Sequence, residues 1–408
     1  MDTAVKFKKI DYLLLFLLIG VSVIPILKTT VGIYGTLVCL LFVIRRWYFT
    51  PLEIIFLIIA LGLEIYHNIA FNGYDVLITR QVIIFFIFAI LTVNCLKMNL
   101  LPMYINILYY LTLISFVFFG LYHVDKGVVK GIANMFPSIF KTFSISYEVK
   151  NNEINPIFYN FDTNNFFKLG RNNGPFWEPT IFAIMLIIAQ IFNLLLTKKL
   201  FNKKGIVFSL GILTTISTTC FLAYFIIIIG YFLSLKNVSV LTKTLLVSSM
   251  VMISLVLFSS LPFLGAKIQD EISNMDKSIN QTEGDSRVAS AFLDVSELIE
   301  RTEYVLWGKG STRSIRTGGD DKAALRNCGD TALLVEWGIF FFVLYFGLMY
   351  YSFRSLVRLY GAPKYYPAMF LIVFLICGFS EVIFDQAFFH IFLFFGSVIS
   401  TNKLKLES

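Results

Sequence analysis

Long apolar runs, each closed by Lys or Arg, constrain this chain more than any other feature. Residues 11–27, 30–44, 51–71, 82–96, 101–121, 177–197, 245–264, 331–353, 366–380 and 387–400 carry few charges. A membrane-crossing helix takes roughly 20 apolar residues, and several of these runs reach or approach that length. Without water inside a bilayer, the backbone must satisfy its own polar groups, so such runs fold as helices. The chain is 57% hydrophobic and 15% charged, where a soluble domain carries about a quarter charged residues. The expected fold is an all-α polytopic membrane protein with about twelve transmembrane helices.

The basic residues set the orientation. Lys6, Lys8 and Lys9 precede the first run, Arg45 and Arg46 close the second, and Lys97 closes the fourth. Lys198, Lys199, Lys203 and Lys204 follow the run at 177–197, while Lys236 and Lys243 follow 206–235. Arg354, Arg358 and Lys364 close the run at 331–353, and Lys403 and Lys405 lie at the C-terminus. Basic loops stay in the cytoplasm, which puts both termini there and two polar stretches, 125–171 and 267–326, outside. The net charge of +8 is spread over connectors rather than gathered in a stripe, so it does not point to nucleic acid. Five cysteines form no CxxC pair, and His67, His123 and His390 lack metal-ligand spacing, so neither a metal nor a cofactor is expected. No cleavable signal peptide is expected, because the first run lacks a small-residue cleavage site and is soon followed by another. Five segments result: N-terminal membrane helices over 1–122, an outer loop over 123–176, central membrane helices over 177–264, a large outer loop over 265–330 and C-terminal membrane helices over 331–408.

Two places depart from plain spans. Residues 206–235 are too long for one crossing and too short for two, with Thr214, Thr215, Ser217, Thr218 and Thr219 in the middle. This predicts a broken helix pair meeting at a hydroxyl-rich turn, or hydroxyls that bond back to helix carbonyls. In the large loop, Asp285 or Ser286 can cap a helix in which Val288, Ala291, Phe292, Val295, Leu298 and Ile299 share one face. Arg287 falls in its first turn; Asp294, Glu297, Glu300 and Arg301 face away. That pattern predicts an amphipathic helix on the outer membrane surface of the protein. Gly308, Gly310, Gly318 and Gly319 then predict a flexible segment bearing Arg313, Arg316 and Arg326.

Candidate site residues gather at these outer stretches. Arg287 and Arg171 suit an anion site, since a guanidinium fork matches phosphate oxygens and keeps its charge in a poorly solvated cleft. The competing reading pairs Arg287 with Asp285 or Glu283 on a solvated surface. Glu178 lies between Trp177 and Pro179, where Pro favours a helix start; an ionisable group at that depth is a functional candidate, or a complement to the helix dipole. Asp330 opens the run at 331–353 with the same two readings. Glu381 and Asp385 read as structural turn residues. Tyr159, Phe176 and Trp177 are candidates for stacking on sugar rings, or for the aromatic belt at a membrane interface.

The segment Asn173-Gly174-Pro175-Phe176-Trp177-Glu178-Pro179 resembles the G-x-F-x-E-P segment of bacterial O-antigen and capsular polysaccharide polymerases. The turn at 214–220 resembles the superfamily's Thr/Ser-rich turn, although its usual Arg is missing here. Asp285-Ser286-Arg287 and Trp307-Gly308-Lys309-Gly310 resemble the family's catalytic loop, and Asp330-Thr331 with Gly338-Ile339 resembles the segment after it. The likeness covers the topology and the C-terminal two thirds. It implies a multi-span glycosyltransferase that joins glycan repeat units carried on undecaprenyl pyrophosphate at the outer, periplasm-facing side of the plasma membrane. The partners implied are that lipid-linked oligosaccharide, membrane lipid and a chain-length regulator. Glu178, Arg287 and Asp330 would be catalytic. Arg287, Arg171, Arg313 and Arg316 would hold pyrophosphate, and Trp177, Phe176 and Tyr159 would hold sugar, with no metal. Related ligases carry a His where this chain has Asn327, which favours a polymerase over a ligase. A flippase for lipid-linked oligosaccharide would line its path with charge through many spans, whereas the polar residues here concentrate outside.

Overall fold

A computed structural model describes residues 8–71, 76–135, 157–161, 166, 169–235, 238–239, 241–245, 248–249, 252, 287–300, 302–310 and 328–407. Among them every regular element is helical and no strand occurs. In chain order the α-helices are α1 (Lys9–Val23), α2 (Val31–Ile44), α3 (Pro51–Ala70), α4 (Val76–Leu96), α5 (Leu100–Val124), α6 (Lys126–Asn134) and α7 (Pro179–Thr197). There follow α8 (Lys203–Thr214), α9 (Thr218–Ser234), α10 (Arg287–Glu300), α11 (Gly329–Leu359), α12 (Tyr366–Ser380) and α13 (Ala387–Glu407). Short 3-10 turns occupy Pro25–Thr30, Lys97–Asn99 and Thr302–Tyr304.

Among the described residues, five stretches are long and apolar enough to cross a membrane: Pro25–Ile44, Pro51–Ala70, Gln81–Val124, Pro179–Thr197 and Gly329–Leu359. The 44-residue stretch holds two helices, α4 and α5, because the chain turns at Lys97 in left-handed backbone (φ 49°). Shorter apolar helices cover Thr218–Ser234, Tyr366–Ser380 and Ala387–Ser400. The run at 11–27 gives a helix of only 15 residues, which passes through the 3-10 turn at Pro25 into α2. The run at 245–264 lies almost wholly outside the described residues.

The chain folds into two compact units, each threaded by separate stretches of sequence. The first takes Met1–Thr50, Ile87–Phe221 and Gln386–Ser408. Its centre is α7, which is largely apolar and is buried around its whole circumference from Pro179 to Leu195; a helix of that kind belongs inside a bundle. Tyr104 of α5 donates to the Met185 carbonyl (2.9 Å) and stacks on Phe388 of α13, with ring centroids 5.2 Å apart. Gln190, in the middle of α7, donates through its side-chain nitrogen to the Gly205 carbonyl of α8 at 2.7 Å and to Ser209 Oγ at 3.0 Å, so that buried N–H group is partnered.

The second unit takes Pro51–Phe86 and Leu222–Asp385. Phe56 of α3, Phe86 of α4 and Trp337 and Phe341 of α11 form its aromatic core. Helices α11 and α12 pack along their length through Phe353, Phe370 and Phe374. Tyr365 at the start of α12 donates to the Gly230 carbonyl of α9 at 2.7 Å.

Candidate functional site

The Asn-Gly-Pro-Phe-Trp-Glu-Pro segment lies in the first unit, folded over the turn between α8 and α9. Ile216 takes left-handed backbone there (φ 50°), and Thr214 and Thr215 bond back to the Gly211 and Ile212 carbonyls. Asn172 is the hub of the segment. Its amide donates to Ser115 Oγ (3.1 Å) and Thr214 Oγ1 (3.0 Å). Its Oδ1 accepts from Tyr159 Oη (3.3 Å) and from the Gly174 N–H (3.1 Å). Arg171 Nε donates to the Thr215 carbonyl at 2.9 Å, so this guanidinium helps hold the turn against the loop. Asn160 closes the other side, donating through its side chain to the Phe176 carbonyl at 3.0 Å.

These contacts correct two sugar-platform expectations. Tyr159 and Phe176 are fully buried. Tyr159 packs against Phe118, Phe161 and Phe166, and Phe176 against Phe182, so neither presents an open ring face. Burial also pushes the Tyr159 phenol well above its usual pKa. Trp177 is half-buried, and the Lys28 ammonium lies 4.1 Å from its ring centroid, a cation–π contact that occupies one face. Glu178 is the residue before α7, in extended backbone with no capping bond from its side chain, and Pro179 takes the first helical position.

Arg287 and Asp330 lie in the second unit, where the ends of three helices meet. Arg287, the first residue of α10, donates through Nε to the Ser380 carbonyl (2.6 Å) and through an Nη to Glu381 Oε1 (3.0 Å). Glu381, at the end of α12, is thus a partner of Arg287; Asp285 and Glu283, the partners considered from the sequence, lie outside the described residues. The Glu381 backbone in turn packs on Gly329, immediately before Asp330. Asp330 Oδ1 is buried against Gly378 of α12, close enough that a Cβ there would collide with it, and no donor reaches that oxygen among the described residues. Thr331, the next residue, donates to Asp294 Oδ2 of α10 at 2.7 Å. Arg287, Glu381, Asp330, Thr331 and Asp294 therefore gather where α10, α11 and α12 meet, as two bonded pairs, Arg287–Glu381 and Thr331–Asp294, with the Asp330 carboxyl against Gly378. Glu381 and Asp294 gave no such signal in the sequence, because their partners are 94 and 37 residues away.

Helix α10 is buried on the side opposite to its apolar stripe. Ser290, Asp294 and Glu297 face the protein interior together with Ala289 and Leu298. Glu297 pairs with Lys309, both side chains being almost completely buried. Lys309 belongs to a segment expected to be flexible, and here the structure corrects that expectation. Helix α11 breaks at Gly338 (φ 74°, ψ 170°), and the chain at 305–310 stitches the break. Lys309 and Gly310 N–H groups donate to the Val335 and Glu336 carbonyls (2.9 and 2.8 Å), while Ile339 N–H donates to the Val305 carbonyl (2.8 Å). Gly308, also left-handed (φ 77°), crosses so close to Gly338 that neither position has room for a Cβ. The backbone groups freed by the break are thus satisfied inside the protein.

Arg313 and Arg316 lie outside the described residues, as do Asp285 and Asn327. Among the described residues no three His, Cys, Asp or Glu side chains converge to hold a metal ion. These residues offer a guanidinium for an anion, carboxylates for proton transfer and a hydroxyl bonded to Asp294. No family model, curated protein or solved structure matches the chain.

Proposed function

We propose that the protein is a polysaccharide polymerase of the glycosyltransferase type. It transfers a growing glycan from undecaprenyl pyrophosphate to the non-reducing-end sugar of a lipid-linked repeat unit, at the outer face of the plasma membrane. The observation that carries this reading is the gathering of Arg287, Glu381, Asp330 and Asp294 where α10, α11 and α12 meet. Ionisable side chains buried among apolar helices are costly unless paired, which makes such a gathering a functional candidate. The leaving group is a lipid pyrophosphate whose bridging oxygen gains negative charge as the glycosidic bond breaks. A guanidinium fixed in a water-poor site stabilises that charge with little reorganisation. The attacking sugar hydroxyl loses a proton, for which Asp330, in the same unit as Arg287, is a candidate base. In this reading Glu381 holds the Arg287 fork in place until donor phosphate takes over part of its hydrogen bonding. The apolar flanks of the spans accommodate the polyprenyl chain.

The test is an elongation assay on the purified full-length protein in detergent, where there are no two compartments to separate. A defined undecaprenyl-pyrophosphate repeat unit is the only substrate, and product length is read by mass spectrometry. The expected result is a ladder of lipid-linked oligomers spaced by one repeat mass. Unchanged substrate, with the same protein moving it between leaflets of a vesicle, would overturn the polymerase reading in favour of a flippase. Transfer to a different lipid acceptor without a ladder would favour a ligase.

A further inference from the structure

We infer that α10 is immersed in the hydrocarbon of one membrane leaflet, with its apolar stripe against lipid acyl chains and its polar face docked on the protein. The starting observation is which residues of this helix are exposed. Val288 (39%), Phe292 (48%), Val295 (40%) and Ile299 (69%) are exposed, and apart from terminal Glu300 every other described position is at least partly covered. At about 100° per residue these four fall within an arc of roughly 60°. The opposite side holds Ser290, Asp294 and Glu297, all buried. An amphipathic helix on a water-facing surface does the reverse, turning its apolar stripe to the core and its acids to solvent.

Polar contacts hold the helix in this inverted setting. Asp294 accepts from Thr331, Glu297 pairs with Lys309, and Arg287 pairs with Glu381. Each of these partners is in or beside α11 and α12, so α10 is fixed to the bundle by its polar side. The apolar exposure also continues along the chain. Leu306 and Trp307 are exposed, Trp307 packs on Phe340, and Phe340, Ile339 and Val343 are exposed on α11. Because α11 is long and apolar enough to cross a membrane, its exposed apolar residues meet lipid. The α10 stripe and these residues are exposed apolar groups of one stretch of chain docked on α11, and acyl chains are the occupant that fits both. A contiguous exposed apolar face of this kind marks a membrane or protein contact. The 4-3-4 spacing of the stripe also suits a partner helix from a second copy, but a dimer seam would end at the helix and not run on into a span.

The experiment uses the full-length chain in proteoliposomes of phosphatidylethanolamine and phosphatidylglycerol. Cys39, the exposed cysteine among the described residues, is replaced by serine. Single cysteines at positions 292, 295 and 299, with Glu300→Cys for comparison, carry a nitroxide. Collision rates with oxygen, which partitions into lipid, are measured against those with a water-soluble nickel chelate. The expected result is oxygen-dominated collision at 292, 295 and 299, and a several-fold higher nickel share at 300. Nickel-dominated collision along the whole stripe would overturn the inference. So would protection from both reagents together with spin–spin broadening between copies, which would identify a second chain as the occupant. A measurement on the unaltered protein guards against labelled variants that fail to fold. A carbene reagent dissolved in the bilayer should leave adducts on Val288, Phe292, Val295 and Ile299, as well as on α11. Adducts on α11 with none on α10 would overturn the inference independently of any substitution.

Discussion

Arg287 shows how much a single side chain depends on its partners. Its guanidinium is bonded to Glu381 and to the Ser380 carbonyl, so it is oriented before any ligand arrives. If it stabilises the leaving pyrophosphate, Arg287→Lys keeps the charge but loses the fork, and Arg287→Ala loses both. Single-turnover rates with a defined lipid-linked donor should fall in the order wild type, Lys, Ala, with Ala lower by about 10²–10³. Rates within a few-fold of one another would leave Arg287 as a structural ion-pair residue. For Glu178, whose side chain caps nothing, Glu178→Gln should lower turnover with expression unchanged, because the amide keeps the shape and removes the charge; wild-type turnover would return it to the helix-dipole role. A different test applies to Lys309 and Glu297, which are buried together. Lys309→Met takes the ammonium away from a buried carboxylate, at a cost of about 3–5 kcal/mol. The double change Lys309→Met with Glu297→Leu removes both charges and should recover most of that loss, read as the midpoint of thermal unfolding in detergent. A double variant no more stable than the single one would mean the pair is not the main tie between α10 and the 305–310 chain.

At the scale of elements, the broken helix α11 is the informative case. Gly338 sits in a backbone region that is essentially confined to glycine, where other residues are strained by about 1–3 kcal/mol. A side chain there would also strike the Leu306 carbonyl. Gly338→Ala should therefore reduce the yield of folded protein sharply. Gly347→Ala, in the same helix with nothing within 4 Å, should be tolerated or slightly stabilising, since Ala is a better helix former than Gly by roughly 1 kcal/mol. Size-exclusion profiles of the two variants in detergent decide this, and equal profiles would refute the stitched break. The Gly338-Ile339 dipeptide was visible in the sequence, but the break was not. A single Gly inside an apolar run is compatible with a continuous helix, and only the chain at 305–310, far away in sequence, supplies the groups that stabilise the interruption. The α10 periodicity was equally legible as a pattern of period 3.6. Which face turns inward was decided by Thr331, Lys309 and Glu381, which no helical wheel contains.

At the scale of the whole molecule, the distribution of Lys and Arg predicts orientation. With a cysteine placed at Lys126, in α6, an impermeant thiol reagent should label intact cells, while one placed at Lys203, at the start of α8, should label only after permeabilisation. The opposite pattern would invert the topology and put the candidate cluster on the other face of the membrane. Apolar runs and their basic borders determined the all-helical class, the membrane-crossing lengths of α3, α7 and α11, and the helix start at Pro179, because these follow from local hydropathy and backbone chemistry. The Asn-Gly-Pro-Phe-Trp-Glu-Pro segment was visible as a motif, yet its anchoring through Asn172 to Ser115 and Thr214 was not. Tyr159 and Phe176 looked like ring platforms and turned out to be packing residues. Tertiary structure alone decided the pairing of Arg287 with Glu381, the burial of Lys309 against Glu297, and the grouping of distant stretches into two units. Those outcomes depend on contacts between residues many tens of positions apart, and burial converts the same carboxylates from solvated surface groups into partners that must be matched.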